Sequence, residues 1–349
     1  MKIVKNWLTV YVETTQECNL RCKFCSVWRA RENLKKKSLS YLTKKDVENI
    51  CEKLSRYMST HRINVLLYFT GGEPFMSKYW INMAPKLKKK GFSLAIDTNG
   101  TLLDDFYEDY VLKYYDCITF SIDGEKEVHD RLRGQKGTWD KAMTNLLRLL
   151  EKRNQKKSKL IIRTNTVLTS LTDKEQLYRL ITFLISKGID EIRFKPMMYD
   201  VNSKIFRKYG VDEKKGLELL EFLWTLHKKY PQINVTKEYI EKTYEIIKYM
   251  KIRQWPLDIP SDCATGSHFF FIDAYGYVWP CCAFSPRPPR GSLHYVDALK
   301  LLEKNKLQDT LNQIRYRSSY SCPLCNERLR RPIVEVLENR NSRLRRRNE

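Results

Sequence analysis

Leu8-Thr9-Val10-Tyr11-Val12-Glu13-Thr14-Thr15, followed after one residue by Glu17-Cys18-Asn19-Leu20-Arg21-Cys22-Lys23-Phe24-Cys25, is the stretch whose reading decides the rest. Five of the first eight residues are β-branched and a sixth, Tyr11, is aromatic, the composition of a strand. The cysteines are spaced C-x3-C-x2-C on the loop that leaves it. Three thiolates on one short loop can wrap one face of an iron-sulfur cube, which leaves the fourth iron without a protein ligand. An open metal position suits catalysis, whereas structural zinc takes four protein ligands. Zinc or an electron-transfer cluster uses the same residue types, so spacing alone leaves those readings open.

Outward from this loop, short β-branched or aromatic runs alternate with longer amphipathic stretches up to about residue 195, the pattern of repeated β-α units and a parallel sheet. Strands are expected at 8–15, 64–70, 92–98, 117–122, 159–167 and 190–195, with helices at about 43–60, 77–90, 104–113, 138–153 and 173–187. Thr43-Lys44-Lys45-Asp46 is a capping-box-like start, and the second helix follows the Pro74 turn. Six units are too few for a closed eight-stranded barrel, so the expected class is α/β, an open partial (β/α)6 barrel. Two connecting helices, 212–230 and 236–255, run up to a boundary at Pro256 and Pro260. The expected division is a barrel at 1–200, a connector at 201–258, a small Cys-rich domain at 259–326 and a basic helix or tail at 327–349.

Polar groups recur at the expected strand ends: Thr70-Gly71-Gly72-Glu73-Pro74, Asp97-Thr98-Asn99-Gly100 and Ser121-Ile122-Asp123-Gly124. Glycines let backbone approach a ligand closely, and a carboxylate can accept a charge-assisted hydrogen bond from an ammonium group. With the cysteine loop, an aromatic residue before its last Cys, and the segment His129-Asp130-Arg131-Leu132-Arg133-Gly134, the chain resembles the radical S-adenosylmethionine (SAM) superfamily over about residues 8–200. The resemblance implies a [4Fe-4S] cluster on Cys18, Cys22 and Cys25 whose open iron chelates SAM. Electron transfer to the sulfonium then gives methionine and a 5′-deoxyadenosyl radical. It also implies that Phe24 lies by the adenine, that Gly71, Gly72 and Glu73 meet the SAM amino group, and that Thr98, Asn99, Ser121 and Asp123 face the ribose. Arg131 or Arg133, with Arg133 preferred, pairs with the SAM carboxylate.

Cys263, Gly276 and Cys281 read C-x12-G-x4-C, and Cys322-Pro323-Leu324-Cys325 adds a C-x2-C pair. Phe269–Ile272 and Tyr277–Trp279 around Gly276 read as a hairpin that brings Cys263 and Cys281 together. Four thiolates then close one site, which on its own also fits structural zinc. The segment is short of long periodic runs, so it is expected to rely on metal rather than on a large core. In context it resembles the SPASM and twitch auxiliary-cluster domains of peptide and sulfatase maturases. No cysteine follows Cys325, so the resemblance implies one auxiliary [4Fe-4S] cluster, as in twitch proteins. Cys282 is spare, and is read as a candidate hydrogen-atom donor or a packed residue. Cys51 and Cys117 read as core residues.

The chain has 349 residues and a net charge of +23, with basic residues spread throughout and again in the tail Arg340 to Arg347. Such a field suits an acidic peptide, nucleic acid or another anionic partner, or is a solvated surface. Ten cysteines without a signal peptide or an apolar span point to metal ligation in the cytoplasm. The expected function is radical SAM modification of a peptide by epimerisation, crosslinking or oxidation, with a flavodoxin- or ferredoxin-type reductant. The alternatives are a dehydrogenase or epimerase of a small hydroxylated metabolite, and, in another class, a zinc-stabilised nucleic-acid binder.

Overall fold

The computed structural model describes residues 6–25, 27, 40–197, 204–252, 268–279, 293–317 and 337. Five β-α units follow one another: β1 (Trp7–Glu13) and α1 (Lys44–His61), then β2 (Asn64–Thr70) with a 3-10 turn and two short helices α2 (Lys78–Asn82) and α3 (Ala84–Lys89). Next come β3 (Ser93–Thr98) and α4 (Asp105–Tyr114), β4 (Cys117–Ser121) with α5 (Lys126–Arg133) and α6 (Thr138–Gln155), and β5 (Ile161–Leu168) with α7 (Lys174–Ser186). After β6 (Glu191–Pro196), helices α8 (Lys204–Tyr209), α9 (Glu213–Lys229) and α10 (Lys237–Ile252) precede β7 (Phe269–Ile272), β8 (Tyr277–Trp279) and β9 (Leu293–His294). Helices α11 (Tyr295–Glu303) and α12 (Leu307–Arg317) close the described chain.

The strand order is β6-β5-β4-β3-β2-β1-β7-β8-β9. Every pair from β6 to β7 is parallel, and β8 and β9 are antiparallel additions. Alternate residues of the strands pack under the helices: Val10, Leu67, Ile96, Phe120 and Ile162 share one core with Ile50, Leu146 and Ile181. The opposite, concave face is layered. At the amino ends of the strands Trp7, Leu66, Ala95 and Cys117 form an apolar floor with Leu337. Above it lies a buried polar band, in which Tyr68 donates to Asp97 (2.7 Å) and Arg163 donates to Tyr68 (2.7 Å) and Thr119 (3.0 Å). With both faces covered, β2 reads as a continuous apolar run, whereas β5 and β6 interleave the buried charged residues Arg163, Glu191 and Arg193.

Three features depart from the sequence reading. The helix expected at 77–90 is split at Met83, because Pro85 has no N–H to continue the helical hydrogen bonding from the preceding turn and is tolerated only in the first turn of the helix that begins at Ala84. Helix α5 occupies a segment to which the sequence reading assigns no element. The hairpin at 269–279 is present, but β7 pairs in parallel with β1, and Phe270, Ile272, Val278, Tyr295 and Leu299 belong to the main core. The described part of 259–326 therefore extends the barrel sheet and its core, and carries two helices. Cys51 and Cys117 are buried as expected. No helix among the described residues is long and apolar enough to cross a membrane.

Candidate active site

Open parallel sheets place ligands at the carboxyl ends of their strands, and that is where the cysteine loop lies. Past β1 the chain stays against the end of β2: Thr14 N–H donates to Thr70 O (2.9 Å), Gly72 N–H to Thr15 O (2.7 Å) and Glu73 N–H to Glu17 O (2.8 Å). The approach is so close that a Cβ on Gly72 would stand 2.0 Å from Glu17 O. Gly71 likewise lies under Thr15. The glycines thus seat the loop that carries Cys18.

Glu73 is fully buried and ties two strand ends together. It accepts from Thr98 Oγ1 (2.8 Å), Asn99 N–H (2.8 Å) and Phe75 N–H (3.4 Å). Burial pushes its carboxyl up to about 7, against the pull of these donors. A carboxylate has about four acceptor positions, so one remains for a further donor. Asn99 reaches back to the loop: its Nδ2 donates to Asn19 Oδ1 (2.9 Å) and lies 4.0 Å from Cys18 Sγ. The side chains of Thr98 and Asn99 are thus brought to the site and engaged with Glu73 and the cysteine loop.

On the other flank, α5 contributes a buried ion pair. Arg133 Nε is 2.7 Å from Asp123 Oδ2. Arg133 Nη1 lies 3.9 Å from Cys22 Sγ, and the guanidinium sits 5.5 Å from the centre of the Phe24 ring. Burial opposes the charge on Arg133, but Asp123 and Cys22 outweigh it and hold the group protonated well above its ordinary range. Asp123 Oδ1 accepts from Val167 N–H (3.0 Å), and Asp123 N–H donates to His129 Nδ1 (3.2 Å). Burial, then the charge of Arg133, lowers His129 to about 4, so its ring is neutral. Arg131 is exposed, which separates it from Arg133. Ser121 is half-buried at the end of β4, and Phe24 packs beside Leu132, Val167, Met197 and Tyr209.

Cys18 and Cys25 are partly exposed and Cys22 is buried. As thiols, Cys18 is pushed up to about 12 by burial first, and Cys22 is raised by burial against the pull of Arg133. Cys18 is also raised by the charges of Glu73, Cys22 and Cys25, and Cys22 by those of Cys25 and Asp123. Among the described residues no three Cys, His, Asp or Glu side chains are arranged to hold a single ion. Three cysteines on one loop, with a cation against Cys22, fit a polynuclear thiolate cluster by the chemistry of the donor set: ligation requires thiolates, and Arg133 favours that form. Cys263, Cys281, Cys282, Cys322 and Cys325 lie outside the described residues. Asn19 was not legible as a site residue, because its partners Asn99 and Thr101 lie 80 and 82 residues away, and the pairing of Asp123 with Arg133 depends on the helix between them. The Lys126–Arg133 helix closed by Gly134 was the signal that could have found α5.

The radical SAM superfamily model matches residues 12–184. A cysteine-type anaerobic sulfatase-maturating enzyme of Clostridium novyi is 23% identical over 283 residues, covering 76% of this chain and 71% of that protein. Two further relatives at 31% and 33% identity are matched over 31% and 30% of their own lengths. Among solved structures, Streptococcus suis SuiB bound to the precursor peptide SuiA superposes with a TM-score of 0.64 at 17% identity, covering 94% of this chain and 70% of that one. Native anSMEcpe with bound SAM and Cp18Cys peptide gives a TM-score of 0.63 at 18% identity, covering 93% and 87%. The two structures share the fold.

Proposed function

Because the chain belongs to the radical SAM superfamily, we propose that it cleaves SAM reductively and uses the radical to modify a peptide. The observation that carries this reading is the cysteine loop seated on Gly71 and Gly72, with Asn99 against Cys18 and Arg133 against Cys22. Cys18, Cys22 and Cys25 hold the [4Fe-4S] cluster. When bound, the cluster supplies the electron that splits the SAM sulfonium into methionine and a 5′-deoxyadenosyl radical. The free acceptor position of Glu73 takes the SAM ammonium, the apolar pocket at Phe24 takes the adenine, and Ser121 with its neighbours on the strand ends faces the ribose.

A peptide substrate is supported by the likeness to a sulfatase-maturating enzyme and to the peptide-bound SuiB and anSMEcpe structures, and by a +23 chain that suits an acidic partner. One auxiliary [4Fe-4S] cluster on Cys263, Cys281, Cys322 and Cys325 is part of the reading, supported by the hairpin β7–β8 between the first two. Cys282 returns a hydrogen atom to the product radical, and a flavodoxin- or ferredoxin-type protein of the cytoplasm supplies electrons. The polar band on the concave face also suits a small hydroxylated substrate, so the test must separate the two. Anaerobically reconstituted protein, reductant and SAM are incubated with candidate peptides and with small polyols in deuterated water, and products are weighed by mass spectrometry. A mass change or deuterium uptake confined to a peptide is the expected result. SAM cleavage coupled only to a small molecule would overturn peptide modification.

A further inference from the structure

We propose that Arg133 is a redox-tuning residue: held by Asp123, its guanidinium sets the reduction potential of the cluster that Cys22 carries. The inference rests on the reading that Cys18, Cys22 and Cys25 hold an iron-sulfur cluster. The geometry is directional. Nε faces the Asp123 carboxylate at 2.7 Å, and Nη1 faces Cys22 Sγ at 3.9 Å. The pair is thus a fixed dipole with its positive end on the sulfur. Both partners are buried, Arg133 at 8% exposure and Asp123 at 1%, so solvent screens the field little. Hydrogen bonding and charge near cluster sulfurs are among the protein's levers on such potentials.

The arrangement is locked from both sides. Lys23 N–H, next to Cys22, donates to Leu132 O (2.8 Å), the residue before Arg133. Gly134, at φ +80°, caps α5 with no room for a side chain, since a Cβ there would meet Arg21 O at 2.6 Å. The cysteine loop and the end of α5 therefore move as one piece. Placing a cation here stabilises the reduced cluster, which carries one more electron. The carboxylate of Asp123, on the far side of the guanidinium, opposes that effect while aiming its cause.

Two substitutions must then act in opposite directions. Arg133→Met removes the cation and should make the cluster harder to reduce. Asp123→Asn keeps the acceptor for Val167 N–H, leaves the cation uncompensated, and should make reduction easier. The measurement is an EPR-monitored redox titration of the anaerobically reconstituted full chain without SAM, following the signal that responds when SAM is later added. The expected result is a shift in the reduction equilibrium of about tenfold or more in each direction, 59 mV for a one-electron couple. Arg133→Lys should recover part of the loss seen with Arg133→Met. Unchanged SAM-free potentials would overturn the inference, and would leave Arg133 a partner of SAM alone. Shifts of the same sign in both variants would also overturn it, because general disruption of the loop acts that way. A wild-type protein without any SAM-responsive signal would instead overturn the proposed function, and this inference with it.

Discussion

Cys22 is the thiol on which the site converges, being buried, in reach of Arg133, and joined through Cys25 N–H to Cys22 O at 3.2 Å. Cys22→Ala is expected to abolish formation of 5′-deoxyadenosine from SAM, as read by chromatography; residual formation at the wild-type rate would remove Cys22 from the site. Gly72 tests the seating of the loop. Adding a methyl group 2.0 Å from Glu17 O forces backbone to move, and overpacking of this kind costs about 1–3 kcal/mol. Gly72→Ala should lower both the melting temperature and the iron content after reconstitution. Full iron loading at an unchanged melting temperature would show that the close approach has no role. The cysteine triad was legible because its spacing is local. The preference for Arg133 over Arg131 rested on the resemblance: in the structure tertiary burial separates them, and the contact to Cys22 spans 111 residues.

At the scale of elements, β1 to β6 were legible to within two residues at each end, because they are short runs rich in β-branched and aromatic residues set between longer amphipathic stretches. The pairing of β7 with β1 was not, since nothing local in Phe269–Ile272 selects a parallel partner some 260 residues away. Its consequence is a buried junction. Glu13 at the end of β1 accepts from Ala274 N–H (3.2 Å) and Gln16 Nε2 (3.0 Å), and Tyr275 donates to Gln16 Oε1 (3.0 Å). Burial first, then the charge of Asp273, raises Glu13 from 4.5 to about 7. The folded protein thus binds the proton more tightly than the unfolded chain does. The contribution of the neutral carboxyl is fully present below about pH 4.5 and is lost as pH rises towards 7. Glu13→Gln should therefore flatten this part of the stability profile and gain up to about 3 kcal/mol over wild type at pH 8. Chemical denaturation across that range checks it, and parallel profiles for the two proteins would refute it.

For the whole molecule, the layering of the concave face matters most. A floor of Trp7, Leu66, Ala95 and Cys117 with Leu337, a polar band, and then the cysteine loop stack from the amino to the carboxyl ends of the strands. Leu337, 3% exposed, brings the far end of the chain under its first strand. Leu337→Ala should cost about 2–5 kcal/mol in urea unfolding; an unchanged midpoint would show that the floor does not depend on it. The barrel, its open form and the position of its site were legible because they follow from counting β-α units and from the strand ends. That the described strands of the Cys-rich segment join the barrel core was not, because β7 finds its parallel partner β1 some 260 residues away. The central claim is an iron corner open to SAM, held on Cys18, Cys22 and Cys25. EPR of the reduced, anaerobically reconstituted chain tests it most directly: a [4Fe-4S] signal whose shape changes on addition of SAM and is missing in Cys22→Ala is the expected result. Protein that holds only zinc, or an iron signal indifferent to SAM, would contradict it.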